Sequence, residues 1–155
     1  MAGTQGVISK AGEGKAYQAL GTTTRLRATR DQTGGAVAVI ESDFPPQGGI
    51  PPHSHRTYDE AFYVLSGELQ CQVGDRNETL QTGSFGYAPR GVVHAFQNGG
   101  SGTARVLIWQ SPGPDMQGFM EELSKLPAGP PDMARMGEIM QRYDLQPAGP
   151  PPGAS

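Results

Sequence analysis

Cysteine is almost absent from this chain. The single Cys71 excludes an intramolecular disulfide, and its neighbours Leu69 and Val73 mark it as a strand thiol facing a core rather than a nucleophile. Long apolar runs are missing as well: nowhere do about 18 apolar residues stand together, so no membrane span is predicted. The opening MAGTQGVISKAGEGK lacks the apolar stretch of a secretory leader, and the expectation is a soluble cytoplasmic protein. There is no basic run either. With 12 Lys and Arg against 15 Asp and Glu, the net charge of -3 offers no field for a phosphate backbone, and nucleic acid is not an expected partner. No repeat of solenoid length occurs, and no helical period is sustained before residue 115.

What is abundant is glycine and proline, 23 and 14 of 155 residues, about a quarter of the chain and near the level that signals disorder. Half of the prolines fall between Pro127 and Pro152, so part of the excess belongs to one end. The apolar fraction of 35%, about half once glycine is counted, suffices for one core, and the length favours one domain.

Across residues 17–110, short runs of Val, Ile, Phe, Tyr, Thr and Leu are closed by glycine, proline or polar turns, which is an all-β pattern. Strands are predicted at residues 23–29, 36–41, 60–66, 69–73, 85–88, 94–98 and 103–110, with turns at 66–68, 74–75 and 99–102. A sandwich or closed barrel follows. After Pro114, Asp115 caps a predicted helix running to about Lys125, with Met116, Phe119, Met120 and Leu123 at helical spacing. Asp132 caps a second, striped by Met133, Met136, Ile139 and Met140. Both stripes read as packing against the core or a partner subunit rather than as a ligand lid. The expected division is a flexible segment at 1–14, a barrel at 15–111, a helical extension at 112–145 and a disordered Pro/Gly tail at 146–155.

The histidines carry the chemistry. His53 and His55 occupy alternate positions, which in an extended segment share one face and present two imidazoles to one point. Glu60 opens the next apolar run, and His94 opens another just after Pro89-Arg90-Gly91. Three imidazole nitrogens and one carboxylate suit a divalent first-row metal and leave one or two positions for water, substrate or dioxygen.

The spacing goes further. His53-Ser54-His55, four residues, Glu60, six residues and Gly67 are followed, after a spacer at 68–82, by Gly83, Pro89, Gly91, His94 and Asn98. This pair of motifs resembles the cupin family. Gln47 stands where the first motif opens on glycine, with Gly48 and Gly49 close behind, and no ligand is affected. Asp59 is a rival to Glu60, but only Glu60 keeps the six-residue distance to Gly67.

The resemblance implies an all-β cupin fold, a double-stranded β-helix or jelly-roll barrel, with two short C-terminal helices. It implies one divalent transition metal ion per chain, iron, manganese, nickel, cobalt or zinc, held by His53, His55, Glu60 and His94. Strand alternation from those ligands turns Phe62, Val64, Phe96 and Asn98 inward. Phe62, Val64, Phe96 and Tyr58 are the expected substrate contacts. Tyr63, Tyr87, Gln97, Arg105 and Gln110 are further polar candidates that read more readily as ordinary strand residues. The C-terminal arrangement also resembles small single-domain bacterial cupins similar to quercetin 2,3-dioxygenases. That implies a dioxygenase acting on a flavonol or related aromatic enol, with dioxygen as co-substrate and Glu60 as both ligand and base. A polyketide cyclase or isomerase using the metal as a Lewis acid, and a binding module without turnover, stay open, because the fold hosts all three. A homodimer paired through an outer sheet is expected.

Overall fold

Alternation of buried with half-buried or exposed positions along residues 38–44 and 104–111 gives these two central strands one inward face each. The computed structural model describes residues 5–149. In chain order its elements are β1 (Ala16–Ala19), β2 (Thr22–Ala28), β3 (Ala38–Phe44), β4 (Gly49–Ser54), β5 (Asp59–Ser66), β6 (Glu68–Val73), β7 (Arg76–Gln81), β8 (Phe85–Ala88), β9 (His94–Gln97), β10 (Ala104–Ser111), α1 (Met116–Ser124), α2 (Met133–Arg142) and β11 (Gln146–Pro147). They form two antiparallel sheets, ordered β1-β2-β3-β10-β5-β8 and β11-β4-β9-β6-β7. The all-β jelly-roll architecture is the expected one. Its inner faces meet in a core that includes Phe44, Phe62, Val64, Leu69, Phe96 and Ile108, with Phe62 and Phe96 edge to face at 4.6 Å. Cys71 is buried there, and loss of hydration pushes its thiol up to about 12, as befits a core thiol. Among the described residues no helix is long and apolar enough to cross a membrane.

Both helices start where predicted. Asp115 accepts from the Gly118 amide, and Asp132 accepts from the amides of Ala134 and Arg135. Their apolar stripes lie against the barrel, with one correction: Met133 is 70% exposed, because α2 reaches the core only from Met136 onward.

The tail also differs from expectation at its start. Leu145 is buried, Gln146 and Pro147 pair with Ser54 and His53 of β4, and the Ala148 amide donates to Pro52 O at 2.9 Å. These backbone bonds hold the chain where its composition suggested none; residues 150–155 lie outside the described residues. At the other end, residues 1–4 also lie outside them. The rest of the expected flexible segment is irregular yet tied down: Arg27 donates to Ser9 O and Glu13 O, and Arg25 donates to Gly14 O.

Candidate metal centre

The end of β4 carries His53 and leads into His55, β5 carries Glu60, and β9 opens on His94, which pairs across the ladder with His53. All four side chains are buried, at 1–3% exposure, and their ligand atoms lie within 4.8 Å of one another. The three imidazoles share one orientation rule. Each Nδ1–H donates to a backbone carbonyl: His53 to Pro51 at 2.8 Å, His94 to Val92 at 3.0 Å and His55 to Asp144 at 2.9 Å. That assignment leaves every Nε2 lone pair aimed at the common centre, the tautomer a metal requires.

The electrostatics agree. Among the described residues, the buried His55 Nε2, His94 Nε2 and Glu60 Oε1 atoms have no hydrogen-bond partner, while His55 Nε2 lies 3.5 Å from Glu60 Oε2 and His94 Nε2 lies 3.3 Å from Glu60 Oε1. Lone pairs converging at such distances repel unless a cation, or a proton in its place, sits among them. Burial would raise Glu60, but the imidazoles of His55 and His94 beside it outweigh that and hold the carboxyl well below its usual range. The donor set therefore fits a divalent first-row ion. Asp59 is excluded from it: its carboxylate faces outward, hydrogen-bonded by the Arg90 side chain and amide, which hold it down at about 2.

His53, His55 and Glu60 form part of the wall of a cavity of about 160 Å³. Ile40, Phe44 and Ile108 of the barrel line it, together with Met116, Met120, Met136 and Met140 of the helices and Leu145. Reading the methionine stripes as packing alone is thus incomplete, since they pack on the barrel and close this cavity together. Of the expected substrate contacts, Tyr58 lines the cavity, whereas Phe62, Val64 and Phe96 are buried in the core away from its wall. Tyr58 stacks on the His55 ring at 4.1 Å, and its buried hydroxyl has no partner among the described residues. Burial, then Glu60, push that hydroxyl far up, so it stays a donor. Gln110 was one of several polar candidates; it lines the cavity, donates Nε2 to Glu60 Oε2 at 2.8 Å and keeps Oε1 unpartnered. Asp144 was not singled out from the sequence, and nothing local to it signals its contact with His55.

Residues 40–110, spanning both histidine motifs, match the cupin domain family. The barrel is a cupin domain. Over 77 residues the chain is 36% identical to germin-like protein subfamily 2 member 2 of Arabidopsis thaliana, covering 46% of this chain and 35% of that protein. Over 80 residues it is 34% identical to quercetin 2,3-dioxygenase of Aspergillus japonicus, covering 47% of this chain and 23% of that protein. This cupin thus spans about a third or less of the length of these curated relatives. Among solved structures, the polyketide cyclase RemF from Streptomyces resistomycificus superposes with a TM-score of 0.60 at 26% identity, over 70% of this chain and 80% of that one.

Proposed function

We propose that this cupin is a metal-dependent dioxygenase of the quercetin 2,3-dioxygenase type, acting on a flavonol or related uncharged aromatic enol. The observation that carries the reading is the cavity wall. Among the described residues, no ionisable side chain but Tyr58 lines it apart from Glu60, His53 and His55, so a carboxylate substrate would lose its hydration and meet no Lys or Arg there. Methionine and aliphatic side chains instead suit a flat apolar body. The similarity to the Aspergillus enzyme supports the same substrate class.

An iron, manganese, nickel, cobalt or zinc ion held by His53, His55, Glu60 and His94 would supply Lewis-acid activation of the bound enol and, where redox-active, of dioxygen. The chain's own residues do the rest. Glu60 Oε1, unpartnered and facing the centre, takes the enol proton, while Gln110 fixes the other oxygen. Tyr58 donates to a substrate oxygen, and Gln110 Oε1 accepts from a substrate hydroxyl. The helices shut out water that would compete for the activated carbon.

The likeness to RemF favours a second reading, non-oxidative cyclisation or isomerisation in the same cavity with Glu60 as base. Oxygen-electrode traces with metal-loaded protein and a panel of flavonols separate the two. Uptake of oxygen in step with flavonol loss is expected; substrate consumed without uptake transfers the assignment to the second reading. Tight binding with no turnover under any metal would leave a binding module.

A further inference from the structure

The three imidazoles are not anchored alike. His53 and His94 donate to carbonyls two residues away, within their own stretches of chain. His55 donates to the carbonyl of Asp144, 89 residues further along. Asp144 stands just beyond α2 with a left-handed backbone, φ 61°, a region that aspartate enters more readily than most residues other than glycine. Its carboxylate is tied to the segment after His55. Oδ2 accepts from the amides of Arg56 and Thr57, each at 2.9 Å, and from the Thr57 hydroxyl at 2.7 Å. The flanking residues serve the cavity: Leu145 lines it, Met140 on the last turn of α2 lines it, and the Leu145 amide donates to Met140 O at 2.8 Å.

We propose that Asp144 is a positioning residue for the metal centre: its carboxylate clamps the segment after His55 and thereby aims its own carbonyl at His55 Nδ1. Closure of the helices over the cavity and orientation of one ligand are then a single event. Opening the helices to admit a ligand loosens His55, and a ligand that packs against Met140 and Leu145 tightens the metal by the same coupling free energy. The inference rests on the four-residue cluster being a metal site, but on no particular reaction.

Asp144→Gly is the direct test, because glycine keeps the left-handed backbone and removes only the carboxylate. In the metal-free protein, long-range ¹H–¹⁵N spectra of the rings should show His55 losing its fixed Nδ1–H tautomer while His53 and His94 keep theirs. In the zinc-loaded protein, release to a chelator should quicken by roughly 10–100-fold, the range of outer-shell effects on metal sites. Asp144→Asn, which retains an acceptor for Thr57, should fall between. Unchanged His55 tautomer and zinc release in folded Asp144→Gly would overturn the proposal, as would an equal change in all three histidines, which would mark a merely structural role. Should Asp144→Gly not fold, Thr57→Val removes one clamping donor. Several-fold faster release with His55 alone perturbed is then expected, and no change in either overturns the proposal. If wild-type protein takes up no zinc or other divalent metal, the metal reading fails, while the ring spectra still decide whether Asp144 positions His55.

Discussion

Gln110 and Glu60 face each other across the β5–β10 ladder, and the Gln110 amide donates to Glu60 Oε2 at 2.8 Å. With that oxygen occupied, the carboxylate cannot rotate freely and Oε1 is left turned towards His94. Gln110→Leu should therefore weaken zinc binding by roughly 10-fold, the lower end of what an outer-shell partner contributes. Chelator-competition titration measures it directly. Wild-type affinity in the leucine variant would show that the amide does not hold the ligand.

The metal-free protein should lose stability as pH falls from about 6.5 to about 4. Burial, with His94 nearby, lowers His53 to about 4, so across that window the unfolded chain binds a proton that the folded chain refuses. Alone this is worth on the order of 3 kcal/mol, present above the window and lost on descending through it. Glu60, held below its usual range, adds a loss at still lower pH. His94 has the opposite sign. Burial would lower it, but the Glu60 carboxylate beside it outweighs burial and raises it, so its contribution is complete in acid and fades as pH rises through that raised value. Denaturant midpoints of chelator-treated protein at pH 4.5, 5.5 and 6.5 check the slope, and a flat profile would contradict it.

The chain's alternation made β2, β3, β5, β6 and β10 legible, because each has an inward apolar face, whereas β8 was legible from its aromatics although Phe85 and Tyr87 turn outward. The strand that carries His53 was not legible. GIPPHS has two prolines and no alternation, and it survives as a strand because its pairing with β9 shifts register between Ile50 and His53, where Pro51 and Pro52 have no N–H to give. RNETLQ of β7 is a polar edge strand with nothing to bury beyond the half-buried Leu80, a common way of discouraging edge-to-edge pairing. Histidine spacing named the four clustered residues, since a metal motif is local in sequence. The cavity wall was not local: it joins strands from one end of the chain to helices from the other, and Asp144 meets His55 only through that closure.

The size of the cavity makes a further prediction. Met120 of α1 lines it without touching the histidine cluster's hydrogen bonds. Met120→Trp should fill much of the roughly 160 Å³ and raise the KM for a flavonol about 10-fold or more, leaving zinc content and affinity at wild-type levels. If KM stays put, substrate binds elsewhere.

Asn98 belongs to the second histidine motif, yet its work is structural. Fully buried at the end of β9, it donates Nδ2 to Phe44 O at 2.9 Å and to Gly102 O at 2.7 Å, and its Oδ1 accepts from the Gly100 amide at 2.9 Å. One side chain thus joins the end of β3 to the loop at 99–102. Asn98→Ala strands two carbonyls and an amide, and should cost about 2–4 kcal/mol in denaturant unfolding. Asn98→Asp is the sharper variant. It keeps the shape and the acceptor but replaces both N–H donors with lone pairs facing carbonyl oxygens, so it should be no more stable than the alanine variant. Both should retain one zinc per chain below their melting points, since none of these bonds reaches His94. An aspartate variant as stable as wild type would show that the paired donors to Phe44 and Gly102 do not hold this corner of the barrel.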